Sequence, residues 1–485
     1  MKSKILIFII LITLIVGCAG NTTEPSDETK PQLDTSSDIL KSAVPDNLKF
    51  DGNTVRFYSY YTENRNTDII LESAPDIVND AIYTRNMVVQ DKLDVKFEGV
   101  FSSEESPANN NGLMTKSVNA GLDEYDIIIG VQWICTQIAT SNIFKNIIDL
   151  PYLGLENPWW ADRYMKEMTV GNNVVMFLIG DISVGMMMRA STMYFNKDLY
   201  TDNLGDPDEM YQFVLDNKWT MDAFAGKIKD IYRDLNGEGT FDADDQYGFM
   251  GYPVVNPYHF MYASGVRVTQ RDKDGIPYFD FNNQKTVNFI EKLYDLFYNN
   301  KDAYTILHTV NEFWETTTRK FMSNEVLFRA EFLSHCEALR SMETNFGMIP
   351  FPKYDENEPS YLALVNTAAP LYCMLITCTR DELVSAVLEE MAFQGYMYMT
   401  PAYFEMALKN KYMRDSDDKA MKCLDLIWSN PTTDFAMVYN NALSGIGGMA
   451  ESLMVNKSNA FVSEYKRIED KATEQLQAII DLYIK

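Results

Sequence analysis

The stretch Trp219–Phe249, WTMDAFAGKIKDIYRDLNGEGTFDADDQYGF, decides how the chain is read. Its opening predicts a helix. Thr220 stands where a hydroxyl accepts a free N–H of the first turn. Asp222 suits the positive end of the helix dipole. Met221, Phe224, Ala225, Ile228, Ile231, Tyr232 and Leu235 recur at helical spacing and give one apolar face. This helix runs into a twelve-residue acidic loop, Asp234–Asp245, which leaves through a strand-like exit, Tyr247–Met250.

The loop has the side-chain pattern of a calcium ligand set. Asp234, Asn236, Glu238, Thr240, Asp242 and Asp245 fall at loop positions one, three, five, seven, nine and twelve, with Gly239 at the sharp turn in position six. Thr240 would lend its backbone carbonyl, and Phe241 at position eight would pack inward. Glu238 replaces a shorter residue at position five, and Asp245 replaces the bidentate Glu at twelve. A Ca²⁺ site built this way is structural and weak, with an affinity of about 10⁻⁴–10⁻³ M. The alternative is an acidic turn that is only solvated. A strand after the loop excludes the helix–loop–helix of a calcium sensor.

At the N-terminus, Lys2 and Lys4 precede the apolar run Ile5–Val16. The run is too short for a mature membrane span and fits a signal peptide over residues 1–17. The small residues before Cys18 resemble a bacterial lipobox, which implies cleavage before Cys18 and lipidation (palmitate) of its thiol. Residues 18–45 are rich in Thr, Ser, Pro, Asp and Glu and read as a disordered tether. Such a tether spans roughly 30 Å.

The 485 residues are too many for one core, so two lobes are expected. Asp and Glu number 69 against 42 Lys and Arg, a formal net charge of −27. That balance opposes nucleic acid, whose binding demands a basic surface. It also opposes binding of the folded body to anionic lipid. Beyond Cys18, the five cysteines Cys135, Cys336, Cys373, Cys378 and Cys423 are odd in number and widely spaced. They form neither a disulfide framework nor a zinc site and read as buried thiols.

Val55–Tyr61, Asp94–Val100 and Asp126–Gly130 read as strands, with a helix at Ile77–Leu93 and helical spacing near Leu113–Ala120. The alternation predicts an α/β protein with mainly parallel sheets flanked by helices. Ligands of such sheets sit outside the carboxyl ends of strands. Those ends carry Tyr60, Tyr61, Gln132 and Trp133. Further on, Gln284–Asn300 and Val310–Met322 are helical, and Val326–Ala330 and Gly347–Pro352 are strand candidates. Thr379 with Glu382 forms a capping-box pattern. Tyr465, Ile468, Ala472, Leu476, Ile479 and Tyr483 line one face of a C-terminal helix.

The order of motifs carries a resemblance. The lipobox and acidic tether are followed by Tyr125–Gly130, Asn157-Pro-Trp-Trp160, Met193-Tyr-Phe-Asn-Lys197, Lys218-Trp-Thr220 and Asp234–Gly239. Asp245-Gln-Tyr-Gly-Phe249, Gly347-Met-Ile-Pro-Phe-Pro-Lys353 and Lys411-Tyr-Met-Arg-Asp415 complete the series. In this order they resemble the extracellular solute-binding lipoproteins of ABC importers, of the large carbohydrate type (family 1). The resemblance implies a two-lobed, periplasmic-binding-protein-like (type 2) clamshell that binds its ligand between the lobes. Lobe one would hold residues 50–190 and 331–350, and lobe two 191–330 and 351–485. The crossings would fall near Arg189–Met193, Ala330 and Phe351. The resemblance further implies an ABC permease partner, attachment to the outer face of the cell membrane through the lipid only, and no catalysis.

The residues agree with that silence: no H-E-x-x-H, G-x-S-x-G or G-x-x-x-x-G-K-[ST] occurs. A glycosidase carboxylate pair is defined by separation, which a sequence does not give. A sugar asks for flat aromatic faces and planar hydrogen-bonding groups. Trp133 follows the Asp126–Gly130 strand and is a cleft candidate, or else packs within lobe one. One of Tyr60 and Tyr61 is expected to face the cleft. Tyr258 and His259 stand at a position that the resemblance associates with an aromatic contact. Arg189 and Glu331 lie near the inferred crossings and either hold ligand hydroxyls or form a hinge salt bridge. The expected function is capture of a carbohydrate or oligosaccharide for import. The alternatives are a surface lipoprotein using the clamshell for sensing or adhesion, and a glycan-acting hydrolase.

Overall fold

The computed structural model describes residues 40–103, 106–409 and 418–484. The expected signal peptide, Cys18, most of the tether and the Lys411–Asp415 motif lie outside the described residues. The last part of the expected tether is not free: Val44 is buried, and the Ala43 N–H donates to Glu389 Oε1 at 3.4 Å.

Thirteen strands are formed by the described residues. They are β1 Asn53–Ser59, β2 Val95–Phe101, β3 Ile127–Val131, β4 Ser191–Asn196, β5 Tyr247–Gly251, β6 Thr269–Arg271, β7 Pro277–Phe279, β8 Ala303–Thr305, β9 Val326–Phe332, β10 Phe346–Ile349, β11 Ala363–Leu364, β12 Pro370–Cys373 and β13 Pro431–Thr432. One sheet has the order β12-β3-β1-β2, and a second β10-β4-β9-β5-β8. In the first, β1 is parallel to β2 and β3, and β12 is antiparallel to β3. In the second, β5 is parallel to β8 and β9, while β4 is antiparallel to β9 and β10. The fold is therefore mixed α/β, with a parallel core in each sheet.

The first sheet forms as its sequence dictates. All five residues of β3 are buried, the continuous apolar run of a strand covered on both faces. Helix Ile77–Leu93 is capped by Asp76, whose side chain accepts the N–H groups of Val78 and Asn79, and it buries Val78, Ile82, Val89 and Leu93. At the edge away from the ligand side, buried Asp126 is clamped by two guanidiniums, Arg56 Nη2 at 2.8 Å and Arg380 Nε at 2.8 Å. Gly130 has a steric purpose: a Cβ there would lie 2.0 Å from Cys135 Sγ. Its absence lets helix Gln132–Ala139 fold back against β3 directly after the strand ends.

Strand pairing corrects the expected lobe boundaries. Phe346–Ile349, assigned to lobe one, pairs with β4 in the second sheet. Pro370–Cys373, assigned to lobe two, pairs with β3 in the first. Ala330 is buried within β9 opposite Met193, and Phe351 is buried 5.0 Å from the Phe260 ring, so neither is a crossing. The chain leaves the first sheet's side at Arg189–Ser191 and returns at Val365–Ala369. The Ala190–Val365 bridge and the Asn366 N–H to Arg189 carbonyl bond (3.0 Å) tie the two crossings together. Alternation alone fixes which face of a strand is buried, but not which of two sheets it joins.

The organising stretch also departs from its pattern. Thr220 caps as expected, its Oγ1 accepting the Ala223 N–H at 3.2 Å. The helix then ends at Ile228 rather than continuing to Leu235, because Lys229 is extended and Asp230 takes φ +63°. The capping box does not form. Helix Asp381–Gln394 starts behind Arg380 without a side-chain cap, and Thr379 Oγ1 donates instead to Asp123 Oδ2 at 2.8 Å. The five cysteines of the body are buried thiols that form no disulfide among the described residues.

Candidate functional site

The carboxyl ends of β3 and β5 face a shared cavity of about 270 Å³. Trp133 enters it from the helix that follows β3. It is 37% exposed, and its backbone N–H donates to the Thr367 carbonyl at 3.2 Å. Tyr258 enters from helix Asn256–Ala263, which follows β5, and its hydroxyl accepts from Asn366 Nδ2 at 3.1 Å. Thr367 lies on the returning crossing, so the cavity draws on both sheets and on the segment that joins them.

The lining also contains groups that the sequence reading did not pick. Val254 and Val255 form the turn between β5 and the Tyr258 helix. Val255 has φ +64° and ψ −58°, and the Asn256 N–H reaches back to the Val254 carbonyl at 2.7 Å. This is the rare positive-φ γ-turn, strained for a β-branched residue. Its free Val255 N–H is taken by Glu451 Oε2 at 2.5 Å. Burial holds the Glu451 carboxyl above its usual range, against the opposing effect of that N–H. Asn440 and Asn441 add amide donors and acceptors beside the apolar Met437 and Val438. The Asn440-Asn441 pair breaking the apolar run 435–439 was the one available signal for this C-terminal contribution.

The remaining candidates take other places. Tyr60 is fully buried and donates to Asn111 Oδ1 at 3.2 Å, while half-buried Tyr61 donates to the Ala368 carbonyl at 2.7 Å and braces the crossing. The Gln132 side chain is buried, with Oε1 accepting from the Tyr164 hydroxyl at 2.5 Å. It turns away from Trp133's cavity. The Arg189 guanidinium carbon lies 6.0 Å from the Phe332 ring centroid. His259 is a correction: it is fully buried between Phe332 and Phe351, with no partner for either ring nitrogen. Burial outweighs the nearby Glu331 carboxylate and holds it neutral, its pKa pushed down to about 3. Glu331 is also buried, and its salt bridge runs along its own strand to Arg329 (2.8 Å), with Tyr252 donating at 2.9 Å. That is neither a contact across the hinge with Arg189 nor an open ligand group.

In the acidic loop, Asp234 accepts the N–H groups of Gly237 (2.6 Å) and Gly239 (2.9 Å), and Asp245 accepts from the Leu235 N–H (3.2 Å) and the Tyr232 hydroxyl (3.0 Å). Phe241 is 49% exposed, yet packs on the rings of Tyr232, Tyr247 and Tyr304. Among the described residues, the group of acidic and thiol side chains close enough to share an ion is Asp123, Asp126 and Cys378. The two guanidiniums already neutralise it. No described helix is long and apolar enough to cross a membrane.

No protein-family model matches the chain, and no curated relative matches it. Solved structures do. UgpB from Mycobacterium tuberculosis, in complex with glycerophosphocholine, aligns over 90% of this chain and 100% of its own, with TM-score 0.56 and 12% identity. UspC from M. tuberculosis aligns over 87% of this chain and 100% of its own, with TM-score 0.56 and 11% identity. A cyclo/maltodextrin-binding protein complexed with maltotetraose aligns over 90% and 98%, with TM-score 0.52 and 12% identity. The fold is therefore the two-lobed, periplasmic-binding-protein-like clamshell that these binding proteins share.

Proposed function

We propose that this chain is the lipid-anchored, extracellular solute-binding subunit of an ABC importer. It captures a carbohydrate or oligosaccharide between its lobes and delivers it unchanged to transmembrane permease subunits. The observation that carries the reading is the cavity where the ligand ends of the two sheets meet, with both Trp133 and Tyr258 on its lining. A half-exposed indole offers a flat apolar face to a sugar ring. Asn440, Asn441, Thr367 and the fixed Glu451 carboxylate offer the planar and hydroxyl partners that buried sugar hydroxyls need. The fold shared with sugar-complexed and glycerophosphocholine-complexed binding proteins supports the class.

Calorimetric titration with a panel of mono- and oligosaccharides tests it. Saturable binding without turnover, lost in Trp133→Ala at unchanged melting temperature, is the expected result. No heat across the panel, or release of glycan products, overturns the carbohydrate-capture assignment.

We also propose that Asp234, Asn236, Glu238, Thr240, Asp242 and Asp245 hold a structural Ca²⁺. What supports this is a set of hard oxygen donors at the spacing calcium requires.

A further inference from the structure

A second cavity, of about 410 Å³, shares no lining residue with the cleft. That volume falls within the range of small-molecule sites, about 300–1,000 Å³. Its lining includes the aromatic residues Trp159, Trp160, Tyr164, Tyr396 and Trp428. Tyr396 and Trp428 are half-buried, and Trp428 is fixed by an edge-on contact with Phe404 at 4.5 Å. Asp181 lies among them and is only 7% exposed.

Asp181 is rigidly placed. Its N–H donates to the Trp159 carbonyl at 2.8 Å, and its own carbonyl sits where a Cβ on Gly395 would be 1.9 Å away. One carboxylate oxygen accepts from Thr400 Oγ1 at 2.6 Å. The other has no hydrogen-bond donor, and no Lys, Arg or His pairs with it among the described residues. A buried carboxylate with a hydroxyl but no counter-charge is costly for the folded protein. Buried Asp126, Glu331 and Glu390 are instead paired with Arg56 and Arg380, Arg329 and Lys92, and buried Glu389 and Asp434, without a paired cation among the described residues, each collect several N–H or O–H donors. At Asp181 the missing partner is a cation, and the space for it is lined by rings whose faces attract cations. A hard metal ion is the wrong occupant, since it needs six or more oxygens and this cavity gathers few.

We propose that this cavity is a second ligand site, taking a small organic ammonium ion whose cationic group pairs with Asp181 beside Tyr396 and Trp428. Burial pushes the Asp181 carboxyl up to about 7, with the Thr400 hydroxyl opposing. Binding therefore weakens as the pH falls and the carboxyl takes a proton. The other titratable groups on the lining are Asp162, Arg163, Tyr164 and Tyr396. Asp162 is already paired with Lys166 at 2.6 Å, and Asp162 and Arg163 are exposed.

The test is calorimetric titration of the purified protein with choline and with its neutral isostere, 3,3-dimethyl-1-butanol. The expected result is saturable choline binding near pH 8.5, about tenfold or more weaker near pH 5.5, with the isostere weaker by about the same factor. Asp181→Asn keeps an acceptor for Thr400 and is expected to lower choline affinity by about tenfold or more without lowering the melting temperature. Trp428→Ala, an independent variant, is expected to weaken choline as well, while Trp133→Ala leaves it unchanged. Equal binding of choline and isostere, no binding at tens of millimolar, indifference to Asp181→Asn in a folded protein, or loss in Trp133→Ala would each overturn the proposal.

Discussion

At the scale of single residues, His259 makes a sharp claim about pH. Its ring is buried with no partner on either nitrogen, and its pKa is pushed down to about 3. In the unfolded chain a histidine titrates near 6.5. Between these values the unfolded state binds a proton that the folded state refuses, so stability is full above about pH 6.5 and is lost as pH falls toward about 3. The cost at pH 4.5 is about 2–3 kcal/mol. His259→Phe is expected to remove that part of the acid limb, read as a flatter dependence of urea midpoint on pH between 4.5 and 6.5. An unchanged slope would show that the ring finds a proton acceptor or water. The same residue marks the limit of sequence reading. Tyr258 and His259 are neighbours on one helix, about 100° apart around its axis, and no pattern told which of them meets the cleft. For Tyr60 and Tyr61, strand alternation predicted one in and one out, and Tyr60 is the buried one. That Trp133 reaches a cavity at the end of β3 was legible, because its place depends only on where that strand ends.

Among the elements, the Trp219–Phe249 unit shows what a pattern records and what it misses. Apolar spacing through Leu235 continued past the true helix end, because Ile231 and Tyr232 serve a different purpose. Ile231 is buried, and the Tyr232 N–H donates to Asp302 Oδ1 at 3.0 Å. The bridge between Arg233 and Gln246 then closes the acidic loop at its base. Among the described residues the loop's carboxylates do not converge to ion-sharing distance, so Ca²⁺ would have to draw them together. With an affinity of about 10⁻⁴–10⁻³ M, 10 mM Ca²⁺ is expected to stabilise the protein by about 1.4–2.7 kcal/mol. The measurement is a melting curve in Ca²⁺ against one in chelator, with Mg²⁺ as control. Asp234→Ala is expected to abolish the difference. A melting temperature indifferent to Ca²⁺ would leave the loop as a solvated turn. The helix before it offers a separate check. Thr220→Ala removes a formed cap and is expected to cost about 1 kcal/mol by chemical denaturation.

For the whole molecule, the sequence revealed alternating strands and helices but not how the C-terminal third is shared out. In residues 431–455, β13 pairs with β11, helix Met449–Val455 packs on the Tyr258 helix, and Met437, Val438, Asn440 and Asn441 line the Trp133 cavity. Such assembly depends on contacts between residues far apart in the chain, which local periodicity does not encode. One long-range contact bears directly on opening and closing. The β6–β7 hairpin, carried by the second sheet's side, reaches segment 167–171, which leads into residues 175–178 bound to the first sheet. Arg271 Nη1 donates to the Thr169 carbonyl at 2.9 Å and to the Gly275 carbonyl at 2.8 Å, its Nε lies 3.6 Å from Glu167, and the Gly171 N–H donates to the Gly275 carbonyl at 3.2 Å. The Arg271 contacts to Thr169 and Glu167 and the Gly171–Gly275 bond exist only while the hairpin and the segment meet, so they favour the arrangement in which the lobes are together. Arg271→Ala shifts that equilibrium toward separation. For a ligand that needs both lobes, the apparent affinity falls with the fraction of binding-competent molecules. The expected loss is up to about tenfold, or 1.4 kcal/mol, carried by faster dissociation, with a larger radius of gyration by small-angle scattering. If Arg271→Ala lowers the melting temperature but leaves ligand affinity and radius of gyration unchanged, the clasp is static packing. The hinge must then lie where the hairpin moves together with segment 167–171.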